Sequence, residues 1–172
     1  GEASCLVMGG GSVGLAAALV LASRGACGVT VADTNAGRRE TVSRAGPFTV
    51  VDPTEEGAFE PNAFGLVVDA VGGRATRAAA SAAVAPGGVI VHIGLMDNDG
   101  GLDVRKFTLQ EVTFIGSYTY TMVDFRATVD AIQAGVLGDL GWIERRRLDA
   151  GATAFDDLAH GRSAAPKIVL VP

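Results

Sequence analysis

Three glycines in the run Val7-Met8-Gly9-Gly10-Gly11-Ser12-Val13-Gly14-Leu15 constrain this chain more than any other feature. They stand between a short apolar segment that reads as a strand and an Ala/Leu-rich segment that reads as a helix. A chain that passes from strand to helix through so short a turn must leave the sheet sharply and then lie close to its own strand. Gly9 permits the tight exit, Gly11 removes the side chain where an anionic group approaches the backbone, and Gly14 lets the helix pack closely on the sheet. The helix then turns its free N–H groups and the positive end of its dipole toward that space.

The glycine pattern alone is weak, and Asp33 strengthens it. This residue follows the second apolar run, Val29–Ala32, and lies 19 residues after Gly14. A carboxylate at the end of the second strand accepts hydrogen bonds from adenosine ribose hydroxyls and repels a 2′-phosphate, which favours NAD over NADP. Arg38 is expected to flank the adenosine, and Arg39 to be solvated, as exposed helix charges usually are.

The strand-to-helix alternation continues downstream. Short β-branched runs at 4–8, 28–32, 48–51, 66–71, 89–93 and 112–115 alternate with helical stretches at 13–24, 36–45, 74–84 and 104–111, with Pro86-Gly87-Gly88 as the turn into the fifth strand. Such a pattern predicts an α/β fold, a doubly wound six-stranded parallel sheet covered on both faces. The pattern then changes to an amphipathic helix over 123–134, a strand over 143–148, a helix over 152–159 and a last strand over 167–171. We therefore expect a dinucleotide-binding core over 1–117 and a C-terminal helix/strand tail over 118–172 that does not extend the sheet, within one domain.

Composition removes several classes of function. With 172 residues, 48% of them hydrophobic, the chain can bury one substantial core. The longest apolar stretch, 13–22, is about half of the ~20 residues that a membrane span needs, and reads as a buried helix. A net charge of -5 argues against nucleic acid as partner, and the one basic run, Arg145-Arg146-Arg147, reads as solvated or ion-paired. Cys5 and Cys27 have neither CxxC nor metal-ligand spacing and are expected to be small core residues; with no leader ahead of the first strand, the expected compartment is the cytoplasm. His92 and His160 have no Cys, Asp or Glu at ligand spacing, so no metal site is expected. Neither a G-x-S-x-G elbow nor a Tyr-x-x-x-Lys pair is present, Tyr118 being followed four residues later by Met122 and Tyr120 by Asp124.

Taken together, VMGGGSVGL, VADTNAGRR, VVDAVGG, APGGVIVHIGL, FIGSYTY and AAPKIVLVP resemble the medium-chain dehydrogenase/reductases over essentially the whole chain, and within them the zinc-dependent alcohol, sorbitol and threonine dehydrogenase branch. The resemblance implies a Rossmann domain whose Gly11, Ser12, Val13 and Gly14 hold the pyrophosphate of NAD(H), with Asp33 and Arg38 at the adenosine ribose. It implies further that Ala70, Val71 and Gly72 border the path from the adenine-side ribose to the nicotinamide, and that Ile93, Gly94 and Leu95 meet the nicotinamide ribose. By the same resemblance the backbone of Thr113 and Ile115 meets the carboxamide, and Lys167 reaches the pyrophosphate from the last strand.

In that family the zinc ligands and the proton relay lie mostly ahead of the glycine motif. The resemblance thus implies a cofactor-binding domain with no catalytic residue of its own, inactive alone, whose zinc and alcohol substrate are held by a catalytic domain outside this chain. It also implies a homodimer paired along the edge near 112–116. Three other readings stay open: a stand-alone NAD-sensing regulatory module, an S-adenosylmethionine methyltransferase, and the enoyl- or quinone-reductase branch, whose NADPH preference is expected without an acid at position 33.

Overall fold

Strands buried on both faces need no polar alternation, and the first of them, CLVM, is apolar at every position. In the computed structural model, which describes residues 4–172, this strand is β1 (Cys5–Met8), and all four of its residues are buried. The chain continues through α1 (Ser12–Ser23), β2 (Val29–Ala32), α2 (Ala36–Ala45), β3 (Thr49–Val51), β4 (Phe64–Asp69), α3 (Arg74–Ala83), β5 (Val84–His92), α4 (Val104–Gln110) and β6 (Thr113–Gly116). The six strands are parallel in the order β3-β2-β1-β4-β5-β6, with Cys5 in register with Val29 on one side and Leu66 on the other. This is the doubly wound Rossmann arrangement that the sequence predicts, and its strand order reverses between β1 and β4.

Residues of β1 divide between the two faces with the strand period of two. Cys5 and Val7 join Leu15, Ala18, Val31 and Val42 in the core under α1 and α2, whereas Leu6 and Met8 join Phe64, Val67, Ala80 and Ile90 under α3. The connection from β3 to β4 carries turns and no helix, and Phe59 packs edge-on against Phe64 there at 6.3 Å.

Several expectations are corrected. The strand expected over 66–71 is β4 and stops at Asp69, because the Asp69 carboxylate accepts hydrogen bonds from Val71 N and Gly72 N and curls the chain into a turn. Pro86-Gly87-Gly88 lies inside β5 as an irregularity instead of preceding the strand: the register jumps from Phe64–Val84 to Leu66–Val89, with Gly87 at φ +71°. The apolar stretch expected to be a buried helix is buried on one side only, with Val13 and Val20 exposed on α1. Cys27 is exposed, unlike Cys5.

Beyond the sheet come α5 (Met122–Gln133), β7 (Ile143–Arg147), a short 3-10 turn (Leu148–Ala150), α6 (Gly151–Ala159) and β8 (Lys167–Val171). Strands β7 and β8 pair in parallel as a separate two-stranded sheet. Val136, Leu137, Leu140 and Trp142 pack into the core under α1 and α2, and Asn35 Nδ2 donates to Gly161 O at 2.6 Å, so this segment is fastened to the start of α2. Helix α5 is well capped, since Thr121 Oγ1 accepts from Asp124 N and the Asp124 carboxylate accepts from Thr121 N. None of its residues is buried, and Met122, Val123 and Phe125 stand exposed.

Candidate functional site

Where the strand order reverses, the carboxyl ends of β1 and β4 part and leave a crevice. The glycine turn forms its floor. Gly9 sits at φ +92° and its N–H donates to Ala32 O at 2.8 Å, which ties the exit of β1 to that of β2. A Cβ on Gly14 would lie 1.8 Å from Gly9 O, so only glycine lets α1 approach β1 this closely. A Cβ on Gly11 would meet nothing within 4 Å: the space in front of it is open. Gly11 is the N-cap of α1, the first turn carries no acidic residue and no side chain caps it, so its N–H groups face this space unpaired by side chains.

Asp33 is 6% exposed and fixed from two sides. Its Oδ2 accepts from Gly10 N at 2.7 Å and its Oδ1 from Asn35 N at 2.8 Å, which couples the carboxylate rigidly to the glycine turn. Oδ1 retains a further lone pair for a ligand hydroxyl. Arg38 Nη1 lies 3.5 Å from Asp33 Oδ2, and Arg38 Nε is buried without a hydrogen-bond partner. Arg39 is not the solvated residue expected: its guanidinium pairs with Asp52 Oδ2 at 2.8 Å and donates to Asp33 O at 2.8 Å, clasping the ends of β2 and β3 together. The hydroxyl and N–H of Thr54, with Arg39, hold the Asp52 carboxyl below the usual carboxylate range.

Around these groups lies a cleft of about 550 Å³. Of the residues expected at the cofactor, Gly9, Gly11, Asp33, Arg38, Ala70 and Val71 line it, with Ser12, Val13 and Gly14 adjoining as the start of α1. Residues that sequence reasoning missed complete the wall: Met8, Ala32 and Thr34, Pro53 and Thr54 after β3, Ala75, Thr76 and Ala79 on α3, and Met96. Pro53 and Thr54 directly follow a strand at its carboxyl end, which was the available signal.

The remaining residues implied by the resemblance lie outside this cleft. Gly72, at φ +72°, and Gly94 are in backbone contact, a Cβ on Gly72 falling 1.9 Å from Gly94 O. The exits of β4 and β5 are laced further by Ile93 N and Gly94 N donating to Asp69 O, and by Met96 N donating to Val71 O. Leu95 projects from this seam, 78% exposed. Thr113 and Ile115 lie on the exposed edge strand β6, and Lys167 is exposed at the start of β8. His92 ends β5 with its ring 5.5 Å from Phe114 and Nε2 3.7 Å from Asp69 Oδ2; His160 is exposed beyond α6 beside Asp156. Among the described residues no group of three or more His, Cys, Asp or Glu side chains is placed to hold a metal ion, so these residues do not fit a zinc site.

Comparison with known proteins agrees with this geometry. Residues 12–134 match the family described as zinc-binding dehydrogenase. The chain is 32% identical over 118 residues to D-altritol 5-dehydrogenase of Agrobacterium fabrum, covering 67% of this chain and 35% of that protein. It is also 32% identical over 127 residues to L-galactonate-5-dehydrogenase of Escherichia coli, covering 70% and 37%. The chain thus spans little more than a third of the length of these relatives. Among solved structures, acetophenone reductase from Geotrichum candidum in complex with NAD superimposes with a TM-score of 0.84 at 21% identity, covering 96% of this chain and 47% of that one. With a family match that takes in 12–134, well over half of its length, this chain belongs to the zinc-binding dehydrogenase family.

Proposed function

We propose that this chain is the NAD(H)-binding domain of a zinc-type alcohol or polyol dehydrogenase, in which hydride passes between an alcohol carbon and the nicotinamide. The observation that carries this reading is the pairing of the open space at Gly11 with the Asp33 carboxylate held beside it by Gly10 N. Diphosphate placed before the first turn of α1 meets free N–H groups, and the adenosine ribose hydroxyls then meet Asp33. Arg38, with its unpartnered Nε, flanks the adenosine. Ala70, Val71 and Gly72, then Ile93, Gly94 and Leu95, border the path to the nicotinamide, with Thr113 and Ile115 near its carboxamide and Lys167 reaching toward the diphosphate. Zinc, when bound in such an enzyme, polarises the alcohol oxygen; no step through it is assigned to these residues. The purified chain is accordingly expected to bind NADH without oxidising alcohols.

Titration with NADH and NADPH tests the cofactor assignment. The unmodified chain is expected to bind NADH more tightly, and Asp33→Ser to narrow the preference by about tenfold, as loss of a like-charge repulsion and of two hydrogen-bond acceptors requires. Tighter binding of NADPH by the unmodified chain would overturn it.

The same proposal includes a homodimer paired along β6 and a cytoplasmic location. Support for the dimer comes from β6 being the last strand of the sheet, with Phe114 and Ile115 exposed along an unpaired edge. Light scattering should give the mass of two chains, and a persistent monomer would count against the pairing. Among the described residues no helix is long and apolar enough to cross a membrane.

A further inference from the structure

We infer that Arg77 is a positioning residue for the nicotinamide half of the dinucleotide, acting through the loop over 93–101 that it clamps against the ends of β4 and β5. The inference rests on the dinucleotide reading above and extends it to a residue outside the cleft.

Arg77 lies on α3 in an alanine-rich stretch and is only 6% exposed. Burying a guanidinium is strongly unfavourable unless its donors are satisfied, and a small apolar residue would fill such a position more cheaply. Four of the five N–H donors here are used on two loops. Nε donates to Gly100 O at 2.6 Å, Nη1 to Gly72 O at 2.8 Å and Asp97 O at 2.9 Å, and Nη2 to Asp97 Oδ1 at 2.6 Å. Asp97 completes the clamp, since its carboxylate also accepts from Arg74 N at 3.1 Å, at the positive end of α3. The hydrogen bond from Arg77, before that from Arg74, holds the Asp97 carboxyl below its usual range.

What the clamped loop carries is Leu95 and Met96, 78% and 71% exposed. Met96 lines the cleft, and its Sδ lies 3.2 Å from where a Cβ on Gly73 would be. The strand order fixes which part of a dinucleotide these side chains meet. With the adenosine ribose at Asp33 on the β2 side and the diphosphate at Gly11 after β1, the second nucleoside extends toward β4 and β5, past Val71 and Met96. Arg77 shares no hydrogen bond with Asp33 or with the glycine turn, so loosening its loop affects the second nucleoside and spares the first.

The experiment compares Arg77→Met with the unmodified chain, using NADH and ADP-ribose, which lacks the nicotinamide, as separate ligands. The unmodified chain should bind NADH more tightly than ADP-ribose and raise its fluorescence. In Arg77→Met the NADH dissociation constant should rise about tenfold, the scale of re-ordering two loose side chains, while that of ADP-ribose stays within about twofold. The fluorescence of bound NADH should fall toward that of the free cofactor. Asp97→Asn, which keeps the three bonds from Arg77 to carbonyls, should move the same readouts in the same direction by less, and it carries the test if Arg77→Met does not fold. Equal weakening of both ligands, or unchanged NADH binding in a folded variant, overturns the role of Arg77. Failure of the unmodified chain to bind either ligand would instead overturn the dinucleotide reading, and this inference with it.

Discussion

Gly14→Val is expected to lower the stability of this chain by about 3–5 kcal/mol, a large part of the ~5–15 kcal/mol available to an ordinary domain. A Cβ at this position would stand 1.8 Å from Gly9 O and 3.2 Å from Val7 Cγ1. Gly9 cannot swing away, because its N–H is bonded to Ala32 O. Helix α1 must therefore lift from β1, which uncovers Leu15 and Ala18, both fully buried. Overpacking of this kind is opposed by backbone on one side and core on the other. Gly11→Ala separates folding from binding. Gly11 has φ -71° and an extended ψ that alanine adopts freely, and nothing stands within 4 Å of its Cβ position. The unfolding free energy should change by no more than about 0.5 kcal/mol, whereas NADH affinity should fall by about a hundredfold as the methyl group occupies the diphosphate space. Urea unfolding and cofactor titration on the two variants check both halves. Full NADH affinity in Gly11→Ala would remove the diphosphate from this turn.

These glycines were legible because their roles are local: the strand before them, the helix after them and Asp33 form one short unit whose spacing sets its geometry. The sheet was legible for a similar reason, since strands buried on both faces stand out as short apolar runs. What escaped were partnerships between residues far apart in the chain. Nothing in the spacing of Arg39 points to Asp52, which it meets only because β2 and β3 end side by side. The clamp from Arg77 to Asp97 and Gly100, and the fastening of Asn35 to Gly161, are closed by the fold in the same way. Strand ends were misplaced where a side chain overrides an apolar run: Ala70 and Val71 look like strand, yet Asp69 captures the backbone beyond itself. The apolar positions of α5 correctly signal an amphipathic helix, but periodicity does not say what covers it, and no residue of α5 is buried.

Asp69, which sequence reasoning did not single out, is expected to matter almost as much as Gly14. Its carboxylate is fully buried and accepts Val71 N at 3.0 Å, Gly72 N at 2.8 Å and Thr76 Oγ1 at 3.0 Å. In Asp69→Ala the Thr76 hydroxyl can still donate to Gly73 O, but both backbone N–H groups lose their acceptor. Each such loss costs about 1–3 kcal/mol, so with the added cavity the variant should be destabilised by about 3–5 kcal/mol. Asp69→Asn keeps the oxygen that faces Val71 N and Gly72 N, and its amide can donate to Thr76 Oγ1, so its cost should be only about 1–2 kcal/mol. The two variants should differ in binding as well, because the turn that Asp69 shapes sets Ala70 and Val71 in the cleft wall and presents Gly72 O to Arg77. NADH affinity should survive in the folded fraction of Asp69→Asn and be lost in Asp69→Ala. Equal destabilisation by asparagine and alanine, measured by urea unfolding, would show that the negative charge and not the acceptor geometry holds this turn.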